Sequence, residues 1–178
     1  MSVEQLMMSI NERSTSFFDS VARGSGPVSS ICFRDMVKAA VATVKNRLDQ
    51  ELIMFVYLEE GDLNQIQAKI FDMVYQEAQK NRIIMNQVEK IKTAKTASSF
   101  FRSSRNMDDM LRRVAFLSLI AAIGRKQPSS RIAANFVKCG KDAYIEKFKG
   151  ITATVSDEIG NRLMRSENQI KKTIYEKS

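Results

Sequence analysis

Two prolines in 178 residues leave this chain little with which to interrupt a helix. Proline removes a backbone donor and clashes with the preceding turn. Glycine, present seven times, weakens helix through its backbone entropy. A chain poor in both is constrained toward long helical runs. The apolar residues fall at the matching spacing. Val37, Val41, Val44, Leu48, Leu52 and Phe55 recur every three or four positions, which places them on one face of a helix.

The same reasoning extends along the chain. A first helix is predicted over residues 3–23, ended by the GSGP turn at 24–27. A second, of roughly 28 residues, starts at a Ser29 or Ser30 cap and stops at Glu59, Glu60 and Gly61. Asp62 is a good N-cap for a third. Its face is Leu63, Ile66, Ile70 and Val74, then Ile84, Val88 and Ile91, with a bend where Glu77 and Asn81 interrupt the stripe. Residues 93–106, TAKTASSFFRSSRN, break the pattern, with Phe100 and Phe101 read either as packing a joint between two halves or, beside Arg102, as stacking bases or sugars. Asn106 caps a fourth helix that Gly124 closes. After the basic loop RKQPSS, a fifth starts at Ser129 or Ser130 and ends at Gly150, with Gly140 mid-helix at a close crossing. The last runs from about Val155 to Glu176 with Ile159, Leu163, Ile170 and Ile174 inward. The only strand-like run, ITATV at 151–155, is too short to count. The expected fold is all-α: about six helices in two small bundles, residues 1–94 and a basic half, 95–178.

Composition excludes several functions. The chain has no histidine, which removes the commonest general base at neutral pH and the commonest zinc ligand. Phosphate-binding glycine loops, nucleophile elbows and metalloprotease motifs are all missing. No cofactor or metal is expected, and the chain is read as a non-enzyme. Cys32 and Cys139, each in an apolar-periodic segment, read as reduced core residues of a reducing compartment. The N-terminus lacks a secretory pattern. The longest apolar run, Val114 to Ile123, falls short of the ~20 residues a membrane span needs. A soluble, intracellular protein is the expectation.

The charge is uneven. Residues 80–149 hold 16 Lys/Arg against 5 Asp/Glu, a balance of +11, while residues 1–79 hold 7 against 11, a balance of −4. A like-charged surface repels itself and calls for an anionic partner, nucleic acid first among them. Arg102 and Arg105 precede the fourth helix, Arg112 and Arg113 flank its stripe, and Arg125, Lys126 and Arg131 follow it. Lys138 and Lys141, three apart, are predicted to share a helix face, and Lys92 and Lys95 join if the halves fold together. Arginine suits bidentate phosphate contact, and helix starts add backbone donors. No base-reading motif accompanies these cations, so binding through phosphate and shape is expected. Changing Arg112, Arg113, Arg125 and Lys126 to Glu tests that site.

A basic, helical chain of this size, split at TAKTASSFFRSSRN, resembles the closterovirus RNA-silencing suppressors of about 20 kDa, of the beet yellows virus type. The resemblance implies two helical domains per subunit and a homo-oligomeric ring with a basic inner surface. It also implies binding of single- or double-stranded RNA, including small interfering RNA duplexes, and suppression of RNA silencing in the host cytoplasm. Competing readings are a helical viral nucleocapsid-type protein, which gains affinity cooperatively with strand length, and a helical adaptor for acidic proteins or membrane surfaces.

Overall fold

The computed structural model describes residues 8, 10–17, 19, 30–92 and 97–176, with the side chains of 30–33, 92 and 97–105 outside the description. The described residues are all-helical, without strands, in nine helices where the sequence predicts about six. Residues 10–17 lie in α1. There follow α2 (Ser30–Val41), α3 (Arg47–Leu58), α4 (Leu63–Lys80), α5 (Arg82–Lys92), α6 (Ala97–Ile123), α7 (Ser130–Val137), α8 (Lys141–Lys147) and α9 (Lys149–Tyr175).

The difference in count comes from three interruptions. The predicted 28-residue helix divides into α2 and α3, which pack on each other. Thr43 and Val44 are β-branched and disfavour helix, and Asn46 offers the backbone an alternative. Asn46 Oδ1 accepts from the Leu48 and Asp49 amides at 2.9 and 3.3 Å, restarting the chain as α3. Losing that cap in Asn46→Ala should lower stability by about 1 kcal/mol, read by urea unfolding. At the expected bend, Asn81 likewise caps α5, accepting from Ile83 and Ile84 at 3.0 and 3.3 Å. The predicted fifth helix divides at residues 138–140. Lys138 adopts a left-handed conformation (φ 62°) and Gly140 is the extended N-cap of α8. Among the described residues nothing beyond its chain neighbours lies within 4 Å of where a Gly140 Cβ would stand, so this glycine marks a restart and not a close crossing.

Two other expectations change. Asn106 does not start a helix: α6 begins at Ala97 and runs through it, because the stretch contains no proline or glycine to stop it. The side chains of Phe100 and Phe101 lie outside the described residues. Gly150 does not end one either, and lies in the first turn of α9. Asp62 and Ser129 cap α4 and α7 as expected, through Asn64 N–H to Asp62 Oδ1 at 2.8 Å and Ile132 N–H to Ser129 Oγ at 3.4 Å.

The chain forms two compact units. A first unit comprises residues 67–122 and 126–157, with Ile70, Val74, Leu111, Val114, Val137 and Phe148 in its core. A second comprises residues 2–66, 123–125 and 158–178, with Val37, Leu52, Val56, Ile66, Leu163 and Ile170 in its core. Each draws on separated stretches of sequence, so a cut between residues 94 and 95 falls inside the first unit. The charge divides with them. The first unit holds 16 Lys/Arg against 8 Asp/Glu, a balance of +8; the second holds 12 against 12, a balance of zero. The entire net charge of the chain therefore belongs to the first unit.

Candidate nucleic-acid interface

Within the first unit six of the sixteen cations lie on and around α7 and α8, which pack on each other. The loop before α7 is held at two points. The Lys126 amide donates to the Ala121 carbonyl at 3.2 Å, closing the end of α6. The Gln127 side-chain Nε2 donates to the Ser156 hydroxyl, which in turn donates to the Ala153 carbonyl at 2.9 Å. Pro128 then bars helix, and Ser129 caps α7. Lys126 and Arg131 are exposed on either side of this cap. No acidic residue sits in the first turn of α7 to answer its positive end.

At the other end of α7, Lys138 is the left-handed C-cap and its amide donates to the Ala134 and Asn135 carbonyls. Lys141 is the first residue of α8. The two lysines are exposed, but they belong to different elements, not to one helix face as their spacing predicts. The helical register on which that expectation rests stops at the left-handed turn between them.

The remaining predicted residues separate by what their side chains already do. Arg112 is exposed and lies over the Phe71 ring, 4.8 Å from its centroid. That leaves one guanidinium face on the ring and its donors at the surface. Arg113 is half-buried: its Nη1 donates to the Phe136 carbonyl at 3.2 Å and the guanidinium sits 6.0 Å from the Phe136 ring. Phe136 itself stacks on Phe116, with centroids 5.9 Å apart. Arg113 thus ties α6 to the last turn of α7. Arg125 belongs to the second unit and approaches Glu167 at 3.7 Å. Lys92, Lys95, Arg102 and Arg105 fall outside the described side chains. Arg82 and Lys149, absent from the predicted set, are exposed in the first unit.

The second unit holds a polar cluster that the sequence does not announce. Arg13, Tyr57 and Glu167 meet in its interior, with the Arg13 and Glu167 side chains only 5% and 9% exposed. Arg13 Nη2 donates to Glu167 Oε1 at 2.7 Å. Its Nε lies 2.8 Å from the Tyr57 hydroxyl, and that hydroxyl donates to the same carboxylate oxygen. Arg13 Nη1 donates to the Ile123 carbonyl at 3.4 Å. Burial opposes the charge on Arg13, but Tyr57 and Glu167 more than offset it and hold its pKa above the ordinary value. Burial also pushes the Tyr57 phenol well above its usual range. The cluster is enclosed and internally satisfied, so it serves the fold.

Cys139 is a free thiol, half-buried, its pKa raised by burial against the opposing effect of Lys147. The Cys32 side chain lies outside the described residues. Among the described residues no group of Cys, Asp and Glu is placed to hold a metal ion, and no helix is long and apolar enough to cross a membrane. No protein-family model matches this chain, and no curated protein or solved structure does so significantly.

Proposed function

We propose that this chain is a non-enzymatic RNA-binding protein. It sequesters RNA, including small interfering RNA duplexes, through phosphate contacts without base specificity, and so suppresses RNA silencing in the cytoplasm of a host cell. The observation that carries this reading is the division of charge. One compact unit has a balance of +8 and the other has zero. Self-repulsion on that scale is relieved by an anionic polymer, and cations at loop ends and helix starts suit phosphate. The choice of RNA and of silencing follows the family resemblance. Assembly into a homo-oligomer, a ring by the same resemblance, repeats the basic surface and raises avidity without new contacts.

The test is a gel-shift series with short RNA duplex, single-stranded RNA and DNA duplex at 50 and 200 mM salt. Release of counterions from four phosphates on a single strand predicts a loss of affinity of roughly 50-fold over that range. Salt-independent binding, or none, refutes the proposal. Cooperative gain with strand length favours a nucleocapsid role instead.

A further inference from the structure

Lys147, the last residue of α8, is a half-buried cation that makes no ion pair among the described residues. It lines a cavity of about 430 Å³ within the basic unit, and none of the described residues lining that cavity is acidic. The volume falls in the lower part of the ~300–1,000 Å³ range typical of small-ligand sites. The position of Lys147 is fixed through its backbone. Asn81, which caps α5, donates from Nδ2 to the Lys147 carbonyl at 3.2 Å and so holds the end of α8 at the start of α5. The Lys147 charge also opposes the rise that burial causes in the pKa of Cys139, so the ammonium is within electrostatic reach of another residue of the wall.

The accessible remainder of the wall is largely aliphatic. Ile91 of α5, Met107 and Met110 of α6 and Ala143 of α8 are each half-buried, so each keeps some surface uncovered. Met107 and Met110 are three residues apart on one side of α6, and their unbranched thioethers adapt to an irregular occupant. Phe148 is 1% exposed and presents no face for a flat ligand to stack on. Gln87 and Asn106 add side-chain N–H donors, and Lys90 is already engaged. A neutral hydrocarbon would cover the Lys147 ammonium without giving it a counter-charge. A bare phosphate would leave the aliphatic wall in water. An organic cation would be repelled. An anionic head on a flexible apolar tail answers both parts of the wall. A neighbouring cavity of about 280 Å³ shares Ile91 and Met107 but is lined by the Asp108 carboxylate and by no cation, so it repels such a head.

We infer that the larger cavity binds a medium-chain aliphatic carboxylate, with its head at Lys147 and its tail along Ile91, Met107, Met110 and Ala143. This goes beyond the RNA-binding reading and does not rest on it. A chain that binds the carboxylate and no RNA keeps this inference and loses that reading, and the converse result does the reverse.

The probe is sodium decanoate, kept below its micelle concentration and titrated calorimetrically into the full chain. One molecule should bind per chain, and decanol and decylammonium should bind at least tenfold more weakly. Lys147→Met, which keeps the aliphatic stem and removes the charge, should lower decanoate affinity at least tenfold with helicity by circular dichroism unchanged. The unaltered protein supplies a measurement that needs no variant. Alkylation of Cys139 by N-ethylmaleimide, read by peptide mass spectrometry, should slow at least tenfold under saturating decanoate and less than twofold under the same concentration of decanol. Absence of decanoate binding, equal affinity for decanol, or decanoate binding that leaves Cys139 unprotected overturns the inference.

Discussion

Glu167→Gln is expected to destabilise the protein by about 3–5 kcal/mol, because it removes the carboxylate charge that faces the buried Arg13 guanidinium. Three interactions converge on that carboxylate: the Arg13 Nη2 bond at 2.7 Å, the Arg13 Nε approach at 2.9 Å and the Tyr57 hydroxyl. At roughly 2–4 °C per kcal/mol for a chain of this size, the melting midpoint should fall by about 10 °C. Urea unfolding followed by circular dichroism measures the effect. A change below about 1 kcal/mol would mean that Arg13 reaches water in the folded state and that the cluster is no more than a surface pair. Removing both charges together, as Arg13→Met with Glu167→Leu, should recover most of the loss, since no buried ion is then left over. Exposed pairs such as Arg47–Glu51 and Lys172–Glu176 should contribute under 1 kcal/mol each. Burial of the partners, and not the count of ion pairs, decides the ranking.

Reversing Lys126, Arg131, Lys138 and Lys141 to Glu should abolish RNA binding, with a loss of at least ~100-fold at 50 mM salt. The four changes lower the charge of the first unit from +8 to zero. All four side chains are exposed, so helicity by circular dichroism should be unchanged. Arg113 and Arg125 are poor choices for this test. Arg113 holds the Phe136 carbonyl, so its loss would confuse folding with binding. Arg125 belongs to the neutral unit. The control reverses Lys45, Arg47, Arg165 and Lys172, four exposed cations of the second unit. It changes the whole-chain charge by the same amount and should lower affinity less than fivefold. Equal losses in the two variants would show that net charge alone governs binding and that the α7–α8 region is not the interface.

The helical faces were legible because they depend on spacing alone. Val37 and Val41 in α2, Leu52 in α3, and Ile159, Leu163, Ile170 and Ile174 in α9 are buried where three- and four-residue recurrence puts them. Caps at Asp62 and Ser129 were legible for a similar reason, since a capping side chain acts on amides two or three residues away. The interruptions were harder. Asn46 and a left-handed Lys138 stop helices whose apolar stripes continue past them, and periodicity does not register a stop that leaves the stripe in phase. The site shows the same limit. Arg112 and Arg113 are neighbours of one type, yet one presents donors at the surface and the other ties two helices together.

The sequence by itself determined the all-helical class, the faces of most helices and the excess of cations between residues 80 and 149, since each depends on residues within a few turns of one another. Tertiary structure alone decided three things: which residues share a compact unit, that the whole balance of +8 falls to one of them, and that Arg13 finds Glu167. Arg13 and Glu167 are 154 positions apart, and no local pattern marks either as buried. The cavity lined by Gln87, Asn106 and Lys147 likewise exists only after α5, α6 and α8 have come together. Burial and charge partition are properties of long-range packing, in which residues distant along the chain exclude water from one another.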